Sequence, residues 1–285
     1  MYYLLIILSV VMFGGCFALN DVYRKLRGSG LRISLQFALT GALAGLVVLL
    51  CSNGFRLEYT HFTLIMAFLS ALVGFGFTFC GFKALGSINL SLYSLFSMLG
   101  GMVLPFLQGI LFYNEGITVA KILCFALICI ALLLTVEKGS KRSGLIYYVG
   151  IFMLNGMCGV LSKLFTSLPF EKTSPAGYSI LIALCTAVMA SVLLLFFPKK
   201  GTQKSSPLSI VVGAMHGSIN RVANLLLVIA LAHVHASVQY PMVTGGVMIV
   251  STVICFFGKN KPSKKEIASV LISFLGMLML FILPF

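Results

Sequence analysis

The chain has 285 residues, 60% of them hydrophobic and only 9% charged, with 20 basic residues against six acidic ones for a formal charge of +14. Soluble domains carry about a quarter charged residues, so composition excludes a soluble globular protein and predicts an all-α, multi-pass integral membrane protein. The basic residues are scattered through short loops and form no arm or groove, which argues against nucleic acid as a partner.

A helix needs about 20 apolar residues to cross about 30 Å of hydrocarbon, and ten runs have that length. Met1 leads straight into the first, 3–20, without the positive n-region of a secretory signal, so a retained span is expected. The breaker Arg27-Gly28-Ser29-Gly30 separates it from the second, 33–51. The third covers 62–84. The fourth, 88–112, carries Tyr93-Ser94 at its entry, then Gly100-Gly101 and Pro105. Glu115 lies in the following turn, and Thr118 caps the fifth run, 119–136. A basic loop, 138–144, precedes the sixth, 145–164, in which Asn155 is the lone strongly polar residue at mid-run and Lys163 sits near the end. The seventh covers 176–197 and the eighth 208–232. The ninth, 236–257, repeats the arrangement of the fourth with Gln239-Tyr240, Pro241 and Gly245-Gly246. Ser263 and Glu266 form a capping box opening the tenth, 265–283. The eight cysteines lie mostly inside these runs with no CxxC or Cys/His cluster, and read as small buried hydrophobes rather than metal or redox groups.

A step of 145 residues lays the first half over the second without a gap. Tyr2-Tyr3 fall on Tyr147-Tyr148, Gly14 on Gly159, Gly100-Gly101 on Gly245-Gly246 and Phe112 on Phe257. We read a diverged duplication: a first repeat over 1–137 and a second over 145–285, joined by 138–144. Five spans per unit make the repeats inverted. Loop charge agrees, because Arg24, Lys25, Arg27, Arg32, Lys83, Lys138, Lys141, Arg142, Lys199, Lys200, Lys204, Lys259, Lys261, Lys264 and Lys265 flank odd-numbered connections, while even ones have only Arg56, Lys121, Lys163 and Lys172. The positive-inside rule then places odd connections in the cytoplasm and both termini outside.

The five-plus-five layout, with a late proline in the fourth helix (Pro105) and then the acidic turn Asn114-Glu115-Gly116-Ile117-Thr118, resembles the drug/metabolite transporter superfamily and its ten-helix proteins of two EamA-like repeats. Phe13-Gly14 and Cys158-Gly159 look like that family's aromatic-glycine pair, although the chain has no tryptophan. In the second repeat Val250 replaces the proline and Asn260 the glutamate. The resemblance covers nearly the whole chain. It implies a carrier with a central cavity between the halves, working by alternating access in the bacterial inner membrane, usually with cytoplasmic termini.

Arg221 falls within a residue of the midpoint of its run, where an arginine costs about 2.5–3.5 kcal/mol on insertion scales. At about 100° per residue, His216, Asn220, Gly213, Asn224, Gly217 and Arg221 share one face of that helix. This polar, glycine-indented face suits a cavity or close helix packing. Arg221 is tied either to helix-end carbonyls or a distant carboxylate, or to a substrate; with no acidic residue at that depth, an anionic or zwitterionic solute is the natural partner of its planar donor fork. His216, Asn220 and Asn224 either bind substrate or hold neighbouring helices. Asn155, Gln239, Tyr240, Tyr93 and Ser94 are further candidates to line the cavity. Gly100, Gly101, Gly245 and Gly246 allow close packing or hinging, and Pro105 and Pro241 kink their helices as candidate gates. Lys163 is expected to snorkel, and Glu115 to act structurally rather than as a proton relay. His233 and His235 lack a third ligand for metal.

The reading is therefore a secondary transporter of a small organic metabolite, with no cofactor, membrane lipids as surroundings and a homodimer left open. No GxxxxGK[ST] loop points to ATP hydrolysis. A lipid or lipid-linked sugar flippase is the alternative. A membrane-embedded enzyme ranks below both, because no nucleophile-base pair or paired carboxylates occur in the spans.

Overall fold

The computed structural model describes residues 1–28, 30–85, 90–134, 145–196, 206–257 and 264–283. They form ten helices: α1 (Tyr2–Arg27), α2 (Leu31–Ser52), α3 (His61–Leu85), α4 (Leu90–Tyr113), α5 (Val119–Leu134), α6 (Leu145–Ser167), α7 (Pro175–Phe196), α8 (Pro207–Leu231), α9 (Ala236–Phe257) and α10 (Lys264–Ile282). No strand occurs among the described residues. Eight of the helices are long and apolar enough to cross a membrane. The other two, α5 and α10, are shorter at 16 and 19 residues and pack along each other. The chain is an all-α, polytopic integral membrane protein.

Each apolar run becomes one helix, with ends within about three residues of expectation except at α1. That helix continues past residue 20 to Arg27 because its last turns are amphipathic. Tyr23 is buried, and Arg24, Lys25 and Arg27 sit in the final turn, where cations complement the helix C-terminus. Farther up α1, Leu4, Ile7, Leu8 and Val11 are exposed at helical spacing while Ile6 and Val10 are buried, so the apolar surface faces outward as well as inward, as lipid requires. The helix starts are capped locally. Ser206 accepts from the Ser209 amide with Pro207 in the first turn of α8, and Thr118 accepts from the Lys121 amide at 3.4 Å. The Ser263–Glu266 capping box lies outside the described residues, as does the 138–144 loop.

The helices pack as a pseudo-two-fold. α1 contacts α8 and α9 as α6 contacts α3 and α4; α2 contacts α7 and α8 as α7 contacts α2 and α3; α4 meets α9 and α5 meets α10. Advancing every helix by five reproduces these pairs. The correspondence reaches individual residues. Gly14 has no room for a β-carbon because of Val250, and Gly159 has none because of Pro105, a pair displaced by the same 145 positions. Gly246 against Val10 likewise matches Gly101 against Asn155. The substitution of proline by valine thus leaves the contact in place.

The connections also sort by face. The α2–α3 loop bonds to the α6–α7 loop through Glu58 and Ser174, and the α4–α5 loop bonds to the start of α9 through Glu115. Tyr2, at the start of α1, stacks on His233 after α8 with ring centroids 4.0 Å apart. One face therefore gathers the even connections and the N-terminus, so α6 enters from the side opposite to α1.

Candidate functional site

Eight helices, α1–α4 and α6–α9, surround a central cavity of about 440 Å³; α5 and α10 contribute nothing to its wall. Arg221, Asn220, Asn224, His216, Asn155, Gln239, Tyr240 and Gly101 all line it. The side chains of Tyr93 and Ser94, in the first turn of α4, lie outside the described residues.

Arg221 is placed by the glycines around it. Gly217 of α8 lies against the backbone of Gly41 of α2 with no space for a β-carbon, and Gly213 lies against Thr40. This close crossing brings the stem of Arg221 over Gly45, where a β-carbon would stand 2.5 Å from Arg221 Cγ. The guanidinium then reaches α7, where Nη2 donates to Thr186 Oγ1 at 3.0 Å. Thr186 Oγ1 in turn donates to the Ile182 carbonyl at 2.7 Å. Among the described residues that hydroxyl is the only hydrogen-bond partner of Arg221, and none of those lining the cavity is a carboxylate. On this face of α8 the glycines sit at close helix contacts and the polar residues line the cavity.

The neighbouring polar groups divide into free and spent. Asn224 Nδ2 donates to the Asn220 carbonyl at 2.8 Å and to its Oδ1 at 3.1 Å, and both residues border the cavity. His216 tilts against Phe37 with ring centroids 4.6 Å apart. Asn155 instead donates to the Ser97 carbonyl at 2.6 Å, the Tyr240 hydroxyl to the Gly159 carbonyl at 2.9 Å, and Gln239 Nε2 to the Leu227 carbonyl at 3.0 Å. These three form part of the wall, with donors committed to joining helices, because an unpaired donor in an apolar bundle is costly.

The glycine pairs are packing sites. Gly100 abuts the backbone of Phe152, Gly246 abuts Val10, and Gly245 lies between Ile128 and Met277; only Gly101 also borders the cavity. Both α4 and α9 continue as helices through Pro105 and Pro241.

A second polar cluster lies at the face with the even connections. Glu115 is 4% exposed and accepts from the Ala236 and Ser237 amides at 3.0 and 2.9 Å, capping α9. The expectation that Lys163 snorkels is corrected: its ammonium turns inward and pairs with Glu115 at 2.9 Å. The reason is electrostatic, since a carboxylate at a helix N-terminus is already held in place and attracts a nearby cation away from the membrane surface. His235 approaches the same carboxylate at 3.7 Å. Burial alone would raise the Glu115 pKa; hydrogen bonds from Ser237, Lys163 and Ala236 outweigh it and hold the carboxyl at about 2. Glu58, half-buried, accepts from the Ser174 amide and hydroxyl ahead of α7, and these bonds lower its pKa.

Thr186 was missed in the sequence, although it lies at the midpoint of the seventh run, the same depth as Arg221. The phenylalanines of the wall, Phe13, Phe17, Phe37, Phe75 and Phe77, carry no signal among 24 in the chain.

No protein-family model matches the sequence, and no curated protein matches it significantly. Solved structures do share the fold. One, described only as a crystal structure of protein, superposes with a TM-score of 0.78 over 99% of this chain and 96% of its own, at 16% identity. At that identity the likeness concerns the fold alone.

Proposed function

We propose that the chain is a secondary transporter, without enzymatic activity, that carries a small anionic or zwitterionic metabolite through the central cavity by alternating access. The observation that carries this reading is Arg221: among the described residues it is the one formal charge on the wall of a cavity ringed by helices from both halves, with a single hydroxyl as its partner. A half-buried charge left so little compensated costs stability unless a ligand completes it. The cavity volume falls in the range of small-molecule sites. Polar atoms not committed to helix packing gather beside Arg221, where they could orient a bound group.

The pseudo-two-fold supplies two alternative ways of packing the halves, which is what a carrier needs to expose one site to either side. Membership of the drug/metabolite transporter superfamily, and residence in a bacterial inner membrane, fit the ten-helix layout, the paired glycines and the late proline of α4. The solute would enter, meet Arg221, and be released when the halves repack.

Purified protein in liposomes should take up at least one solute from a panel of anionic, zwitterionic and cationic metabolites, tested with and without a pH gradient. Arg221→Gln, checked to be folded, should lose uptake of acidic solutes. Unchanged uptake of every acidic solute by the folded variant would sink the proposal.

A further inference from the structure

Resting on that reading, we infer that the site selects a solute with a single negative charge on an apolar, ring-bearing body, and that it disfavours dianions, cations and the zwitterionic analogue of the same body.

The charge selection follows from the inventory of the wall. Among the described residues lining the cavity, Arg221 is the only formally charged side chain and none is a carboxylate. One anionic group can neutralise the guanidinium and take the donors that Thr186 does not occupy. A second negative charge would enter the same low-dielectric space with no second cation. An ammonium would find only neutral oxygens, such as that of Asn224, and the faces of aromatic rings.

The apolar body follows from the rest of the wall. Phe13, Phe17, Phe37, Phe75 and Phe77 come from three different helices and line the same cavity as the polar strip of α8. Ring-to-ring contact favours an aromatic solute beyond simple area burial. The donors of Asn155, Gln239 and Tyr240 are already given to helix carbonyls and so are not offered to the hydroxyls of a sugar-like solute. Thr186 is then a positioning residue: its own proton is given to Ile182, so its lone pair faces Arg221 and fixes the direction of the fork.

The test uses one carbon skeleton with varied charge: 3-phenylpropionate, phenylalanine, phenylsuccinate and phenethylamine. Binding is read as the shift in thermal unfolding midpoint of the purified protein, and transport as uptake of the radiolabelled compounds into liposomes. The expected order is 3-phenylpropionate first, with phenylalanine at least several-fold weaker, and phenylsuccinate and phenethylamine weaker still. Arg221→Gln should weaken 3-phenylpropionate at least tenfold and erase the order, while Thr186→Val, which removes no charge, should weaken it a few-fold and keep the order, with rescue by Thr186→Ser. Phenylsuccinate or phenethylamine binding as well as the monoanion, an order unchanged in Arg221→Gln, or no binding by any member would overturn the inference. Saturable uptake of some other class of solute would overturn it while leaving the transporter reading intact; binding in the expected order without any uptake would do the reverse.

Discussion

Arg221 and Glu115 are both charges set among packed helices, one half-buried and one buried, and their surroundings differ in kind. Glu115 receives two backbone amides, the Lys163 ammonium and the approach of His235. Arg221 receives one hydroxyl and faces a cavity. The first is saturated by its own chain, and its removal would strand a buried cation and uncap a helix. The second is left incomplete, and its removal would strand nothing. On the proposed function, saturation distinguishes a charge kept for architecture from one kept for a solute, and stability should separate the two in the opposite direction from transport.

Glu115→Ala gives the largest expected effect, a loss of about 3–5 kcal/mol because Lys163 is left buried and unpaired. A fall in unfolding midpoint and in yield of folded protein would register it. A midpoint unchanged from that of the parent protein would erase the contrast. Arg221→Gln should do the reverse, holding the midpoint within a few degrees while weakening acidic solutes by roughly tenfold to a hundredfold, the worth of about 1.5–3 kcal/mol of charged hydrogen bonds.

Gly217→Ala tests the platform on which Arg221 stands. Its β-carbon would collide with the backbone of Gly41, so about 1–3 kcal/mol should be lost; Gly15→Ala, with nothing within 4 Å, serves as the matched substitution and should cost nothing. Acid gives a subtler comparison. The Glu115 carboxyl titrates at about 2 in the folded protein against an ordinary value of 4.5, so its contribution is complete above about pH 4.5 and is lost as pH falls toward 2. Unfolding followed over that window should show a slope that Glu115→Gln flattens. The smallest effect is Glu58→Gln, about 1 kcal/mol for a weakened cap, read from denaturant midpoints.

The ten helices were legible because crossing a bilayer demands long apolar runs, and the turns between them carry breakers. The end of α1 was not, since an amphipathic extension in which Tyr23 is buried looks like a loop once the apolar run stops. Arg221 was legible for the same reason as the helices: a charge at mid-run contradicts its setting. The Glu115–Lys163 pair was hidden by distance along the chain, and a lysine near a helix end gives no sign of which way it turns. Thr186 shows a further limit. A hydroxyl in a membrane helix satisfies itself on the preceding turn, so its use by another helix depends on a crossing that the sequence does not display. The commitment of Asn155, Gln239 and Tyr240 to their neighbours likewise depends on which carbonyl lies opposite.

Glu58 and Glu115 both belong to the first five helices, whereas the helix starts they cap, those of α7 and α9, belong to the last five. Separating the halves at that face would strip two helices of their anions in one movement. The positions one repeat later are Gln203 and Asn260, which carry no charge. The scaffold repeats itself, but these two carboxylates do not recur one repeat later. A carboxylate released from its amides regains an ordinary affinity for protons, so under the proposed alternating access acid would favour a form in which this end stands open.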